Sequence, residues 1–238
     1  MTEAEQDQMA REFFGFGSWS ADFWSIGPEQ GMLEDDSTLS TRFEAWRRMG
    51  GRDLVDCRTY HAEIIEHRFH GTGSNGKVEP QPTWRKLIRT RLAYRSGANP
   101  DQNAVLDYQA KLWGSTSGND CVIELSGLPA HSHGVARAAS ADGLNQRIEE
   151  IATKLASGKH KIVLLYGAGR KRNCDIAWQR LTSGLEKRRF GLFTICESAN
   201  ATFVRGPHPT APIKGNTNEA WCELGKRLAD LRKTASRS

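Results

Sequence analysis

Apolar residues fall into two patterns along the chain: short unbroken runs, and longer stretches in which they recur every three or four positions. Four runs carry β-branched or aromatic side chains and end in Gly, Pro or a polar turn, the signature of short buried strands. They are Asp22–Gly27, Cys121–Leu125, Lys161–Tyr166 and Ala201–Arg205, and Leu192–Cys196 is a candidate fifth. The intervals between them show helical spacing. Thr38–Met49 carries Leu39, Phe43 and Trp46, and Trp84–Tyr94 carries Trp84, Leu87, Ile88 and Leu92. Leu144–Leu155 carries Leu144, Ile148, Ile151 and Leu155, and Asn218–Lys233 carries Trp221, Leu224, Leu228 and Leu231.

Strands that alternate with helices imply crossover units and parallel strands covered on both faces. The pattern therefore predicts an α/β fold: a three-layer α/β/α sandwich around a central four-stranded, mostly parallel sheet. The turn-rich stretch His70–Pro82 is expected as a surface loop. Nothing divides the chain, so residues 1–238 are expected to form one domain with the last few residues frayed. The tryptophans mostly share a helical stripe with Leu or Phe and are expected in the core.

Composition narrows the class. The chain has 238 residues, with 38% hydrophobic and 26% charged, the range of globular rather than disordered proteins. No apolar run approaches the roughly 18 residues a membrane span needs, and the first residues are acidic where a secretory signal is basic. A cytoplasmic monomer that avoids membranes is expected. Cys57, Cys121, Cys174, Cys196 and Cys222 are scattered, which favours reduced thiols over a disulfide framework, a zinc ribbon or an iron–sulfur cluster. The net charge of +5 permits a polyanionic partner without requiring one.

In open α/β sheets ligands sit beyond the carboxyl ends of the strands, so the residues after each strand carry the candidate chemistry. After the first run comes Gly27-Pro28-Glu29-Gln30-Gly31, in which the glycines let the backbone turn sharply and approach a ligand. Glu29 would stand at the sheet edge, where a carboxylate can hold water or face a developing cation; a tight turn with a solvated Glu is the plainer account. After the last run comes Gly206-Pro207-His208-Pro209-Thr210-Ala211-Pro212, whose three prolines restrict the backbone around His208. An imidazole held this way can donate to a charge-bearing oxygen, or be a structural His in a stiff loop.

Together the two segments resemble the signature motifs of the uracil-DNA glycosylase superfamily: a Gly-x-(Asp, Asn or Ala)-Pro turn after the first strand and a His-Pro-Ser loop after the last. Here GPEQG and His208-Pro209-Thr210 stand in those places, near the two ends of the chain. Gln30 replaces the usual Pro, and Thr210 replaces the usual Ser. The second strand, which in the superfamily ends in a base-reading Asn, here leads through Glu124-Leu-Ser126-Gly-Leu-Pro129.

The resemblance implies a hydrolase that removes uracil from single- or double-stranded DNA by base flipping, leaving an abasic site and using no metal or other cofactor. Glu29 would orient the water and favour the sugar cation, while His208 would donate to the base O2 as it gains charge. Gly27, Pro28, Gln30 and Gly31 would line the substrate pocket, with Ser126 or Glu124 reading the base edge. On the DNA side, Thr210 would join the contact loop, Ile213 would fill the vacated stack, and Lys214, Arg170 and Lys171 would meet phosphates.

Two other classes compete. One is a non-catalytic binder of damaged or abasic DNA on the same fold. The other is a nucleotide-binding α/β enzyme using the Gly167-Ala-Gly169 turn, which has the start of a dinucleotide fingerprint but lacks its third Gly. His131-Ser-His133 spaces two imidazoles as a metal pair would, with no further ligand nearby in sequence, and a metal-free loop is the preferred account. His67 and His70 are expected on a solvated helical face, and Glu34-Asp35-Asp36 as a helix start before Ser37.

Overall fold

The computed structural model describes residues 1–28, 37–129, 141–157, 159–169 and 172–235. The strands are β1 (Gly15–Gly17), β2 (Phe23–Gly27), β3 (Leu54–Val55), β4 (Asp120–Glu124), β5 (Lys161–Tyr166), β6 (Arg188–Phe190), β7 (Phe193–Glu197) and β8 (Ala201–Gly206). The helices are α1 (Glu3–Glu12), α2 (Ser37–Arg48), α3 (Cys57–Glu63), α4 (Pro82–Ser96), α5 (Gln102–Lys111), α6 (Ala141–Ala156), α7 (Arg172–Leu181) and α8 (Asn218–Ala235). A single 3-10 turn covers His67–Phe69.

All strands join one sheet in the order β3-β1-β4-β2-β5-β8-β7-β6. The inner run β4-β2-β5-β8 is parallel throughout and consists of the four strands expected from the apolar runs. The fold is thus α/β, but the sheet is eight-stranded and mixed rather than four-stranded. β1 pairs antiparallel with β4 and parallel with β3, while β7 and β6 extend the other edge antiparallel. These edge strands escape pattern reading for a physical reason. β1 is Gly-Phe-Gly, β3 has two residues, and β6 is largely charged and exposed, so none presents a run of apolar positions.

Period-two alternation sends the strand side chains to two separate cores. On one face Phe23, Val122, Ile162, Leu164 and Val204 pack with Trp46, Tyr60, Leu87, Ile88, Tyr108, Trp221 and Leu224 of α2, α3, α4, α5 and α8. On the other, Trp24, Ile26, Ile123, Val163 and Leu165 pack with Leu144, Ile148 and Ile151 of α6 and Trp178 of α7. Helices therefore cover both faces. Trp24, Trp46, Trp113 and Trp221 are among the largest fully buried side chains, as their spacing predicts.

Two polar anchors fix the ends of the inner strands. At the amino ends, the buried Arg91 of α4 lies 2.8 Å from Asp22 and 3.1 Å from Asp120, and Tyr108 of α5 donates to Asp120 at 2.5 Å. At the carboxyl end of β4, the buried Arg147 of α6 donates to the Glu124 carbonyl at 2.8 Å, and to the Ala10 and Phe13 carbonyls at 2.9 and 2.6 Å. One guanidinium thus ties the last turn of α1 to the strand end that leads to Ser126. Its donors answer carbonyls that the helix terminus leaves unpaired.

α4 shows how local chemistry sets an element that positions the site. Gln81 caps it by accepting from the Trp84 amide, Pro82 supplies a preset φ in the first turn, and Gly97 ends it at φ 71°. α8 crosses α4 at Gly225, where an added Cβ would stand 2.4 Å from the Thr90 carbonyl oxygen and 2.8 Å from Ala93 Cβ. Thr90 adds a hydrogen bond to the Trp221 carbonyl at 2.9 Å across the same contact. Gly225→Ala sets a helix-propensity gain of about 1 kcal/mol against overpacking that costs about 1–3 kcal/mol. Because the obstacle is backbone that cannot swing aside, the clash wins. Urea denaturation is expected to show a net loss of stability, and an unchanged or raised midpoint would contradict the close crossing.

Candidate active site

β2 and β5 are neighbours, yet the chain leaves them in opposite directions, from β2 toward β4 and from β5 toward β8. Loops that diverge from adjacent parallel strands leave a crevice above their carboxyl ends, the usual ligand position in such sheets. Gly27-Pro28 leaves β2 at this point, Tyr166-Gly167 leaves β5, and Pro207-His208 follows β8.

The Gly27-Pro28 backbone is held from the β4 side. The Leu125 amide donates to the Gly27 carbonyl at 2.8 Å, and the Ser126 amide to the Pro28 carbonyl at 2.9 Å. Tyr166 closes the β5 side. Its ring lies so near the α-carbon of Gly27 that a Cβ there would come within 2.1 Å of the phenol oxygen and 2.3 Å of Cζ. The same ring lies 5.8 Å from the His208 imidazole, centroid to centroid, at an interplanar angle of 59°. Tyr166 is therefore the wall shared by the first-strand turn and the last-strand loop.

His208 is half-buried, and its own loop orients its ring. The Thr210 amide donates to Nδ1 at 3.3 Å, with the Thr210 hydroxyl 2.8 Å from the same nitrogen. A backbone N–H can only donate, so the amide contact favours the tautomer in which Nδ1 accepts and Nε2 bears the hydrogen. Thr210, expected on the DNA side, is exposed and also serves as the residue that orients His208. The loop is fastened from below. Asn216 donates to the carbonyls of His208, Pro209 and Ala211 at 3.2, 3.1 and 2.7 Å, while its own carbonyl accepts from the Trp221 indole at 2.7 Å. Lys86 of α4 donates to the Pro209 and Asn216 carbonyls, each at 2.6 Å. Ile213 and Lys214 stand exposed at the tip, with 42% of the Ile213 surface accessible.

Both candidate base readers lie in the interior at the carboxyl end of β4. Ser126 is buried, and its hydroxyl donates to the Leu128 carbonyl at 3.0 Å and takes the Leu128 amide at 3.3 Å, so it shapes its own turn. Glu124 is buried, and its carbonyl is occupied by Arg147. Glu29, Gln30, Gly31, Arg170, Lys171, His131, His133 and the Glu34–Asp36 acids lie outside the described residues. His70 is not on a solvated helical face: it follows the 3-10 turn and is buried.

Of the sequence-predicted residues, Gly27 and His208 are brought to opposite sides of Tyr166, while Tyr166, Asn216 and Lys86 were not singled out. Tyr166 carried a signal, since a phenol at the last position of an otherwise aliphatic strand sits where ligands bind. Asn216 and Lys86 carried none, because their partners are carbonyls brought near only by the tertiary fold. No family model matches the chain, and neither the curated proteins nor the solved structures provide a match.

The Gly27–Tyr166 contact can be tested by a double-mutant cycle in denaturant. Gly27→Ala is expected to cost about 1–3 kcal/mol by overpacking, and Tyr166→Ala about 3–5 kcal/mol by cavity formation. Removing the ring relieves the clash, so the double variant should lose less than the two costs added, by an interaction energy of about 0.5–3 kcal/mol. Simple additivity would mean that the ring does not rest on Gly27.

Proposed function

We propose that the chain is a DNA glycosylase that hydrolyses the N-glycosidic bond of uracil in DNA and leaves an abasic site, as a divergent member of the uracil-DNA glycosylase superfamily. The observation that carries this reading is the placement of His208: an imidazole after the last parallel strand, with Nδ1 turned to the Thr210 hydroxyl and amide at 2.8 and 3.3 Å, which directs Nε2 away from its own loop. Two further features support it. The motif-bearing strands β2 and β8 flank β5 in a parallel inner sheet, and Tyr166 at the end of β5 touches both motif segments.

In this reading water attacks C1′ of the deoxyribose while the C1′–N1 bond breaks and its electron pair leaves with the base. Glu29 orients the water and takes its proton. The His208 Nε2–H donates to the base O2, where the negative charge gathers. A neutral imidazole is suited to this task, because it stabilises the anion without having to surrender a proton. The base must first leave the duplex, at a cost of a few kcal/mol. Ile213 at the loop tip fills the gap, and Lys214 meets a phosphate, with Arg170 and Lys171 as further phosphate contacts. The anchoring of that loop by Asn216 and Lys86 means that its tip can press on DNA without displacing His208.

Single-turnover incubation with a labelled uracil oligonucleotide, followed by alkali, tests the reading. Strand scission is expected with the unaltered chain, and His208→Ala should slow it on the order of a hundredfold or more, the usual loss for one preorganised donor to a developing anion. A gel shift without scission would replace the enzyme by a binder of damaged or abasic DNA. Neither scission nor shift would remove DNA from the account.

A further inference from the structure

Away from the sheet crevice, α3 and the segment after it bring together three side chains that the proposed chemistry does not use. Asp56 caps α3 by accepting from the Thr59 amide at 3.0 Å, which fixes Cys57 as the first helical residue. His61 stands four residues on, so it shares the helix face of Cys57. His70 comes in after the 3-10 turn. All three are buried, and their ligand atoms lie within 4.8 Å of one another.

The separations are informative. Cys57 Sγ lies 3.5 Å from His61 Nδ1 and 3.7 Å from His70 Nε2. A tetrahedral zinc ion with bonds of about 2.3 Å to sulfur and about 2.0–2.1 Å to nitrogen has S···N edges of roughly 3.6 Å. Hydrogen bonding accounts for one of the two sulfur contacts, since the thiol can donate to His70 Nε2. A thiol has one proton to give, and His61 Nδ1, at 2.7 Å from the Cys57 carbonyl, already donates there. The sulfur nonetheless faces both rings.

The surroundings complete a metal site. His61 Nε2 points toward Glu66, 3.6 Å away, and Glu66 is held by Arg42 at 2.8 Å; a carboxylate behind a ligating imidazole fixes its tautomer and raises its basicity. Phe16, Phe69 and Trp84 ring the histidines, with centroids 5.5, 6.4 and 5.3 Å from that of His61. Gly114 packs against Cys57 so closely that an added Cβ would stand 2.9 Å from the Cys57 Cβ.

We infer that Cys57, His61 and His70 form a binding site for one zinc ion, with His61 ligating through Nδ1 and His70 through Nε2. On binding, the Cys57 thiol releases its proton to solvent and a zinc–sulfur bond forms. The His61 proton moves from Nδ1, giving up the Cys57 carbonyl, to Nε2 facing Glu66. Water takes the fourth position. The ion clips α3 to the segment after the 3-10 turn, and it departs from the metal-free expectation without touching the crevice chemistry.

Cobalt and zinc titrations of the full chain, reduced and freed of metal, test this without reference to excision. One cobalt ion per chain is expected to bind with a thiolate-to-cobalt absorption band in the near ultraviolet, and one equivalent of zinc should displace it. Cys57→Ser should abolish the band, Glu66→Gln should weaken binding by about 10–100-fold, and Cys222→Ser should leave both unchanged. The proposal falls if the folded, unaltered chain shows no such band, or if the band persists in Cys57→Ser. Should Cys57→Ser fail to fold, His70→Gln decides: an undiminished affinity there equally overturns the site.

Discussion

The placement of one aromatic ring governs the candidate site. Tyr166 rests on the bare α-carbon of Gly27, and the fit allows no β-carbon between them. β2 and β5 already pair in register from Phe23 to Ile26, which sets the height of Tyr166 above the sheet. Gly27 then permits the ring to lie against the end of β2. Its other edge meets His208, so the first and last motif segments, far apart in sequence, are linked through a single side chain. Any larger residue at position 27 would force the ring off this seat.

The remaining order at the site comes from carbonyl groups that have been given partners. A loop rich in proline has few amides with which to hold itself, and Gly206–Pro212 is such a loop. Asn216 and Lys86 provide the missing donors from outside it, and the Trp221 indole holds Asn216 in place by donating to its side-chain carbonyl. Arg147 does the same at the end of β4. These side chains act on the backbone that carries the candidate chemistry, which keeps the His208 tautomer and the Pro28 turn in fixed relation to the sheet. Ile213 and Lys214 are left exposed at the loop tip.

What could be read from the chain alone divides along physical lines. Continuous burial wrote itself into Lys161–Tyr166, and amphipathic spacing into Leu144–Leu155 and Asn218–Lys233, so β5, α6 and α8 appear where expected. α1 has Met9 as its buried residue, so no apolar stripe announces it, although its Thr2 and Glu5 capping box was present to be read. α5 is likewise marked by its Asp101 cap more than by its pattern. For the candidate site, motif position singled out Gly27, Pro28 and His208, and a strand end is a local property, so their placement after β2 and β8 could be read. The roles of Asn216 and Lys86 depend on non-local neighbours and left no trace in spacing, whereas Tyr166 was marked only by its place at the end of β5. His70 shows the same limit: its turn-rich neighbourhood suggested solvent, while Cys57 and His61 draw it into the interior.

The proposed hydrolysis requires a carboxylate and an imidazole to meet across one glycosidic bond, and a crystal structure with an abasic-site oligonucleotide tests this most directly. The account predicts the sugar in the crevice between Gly27-Pro28 and His208, with the Glu29 carboxylate on the face opposite the departed base and the His208 Nε2 where the base O2 would lie. Finding Glu29 and His208 in separate cavities, or the sugar bound elsewhere on the molecule, would contradict it.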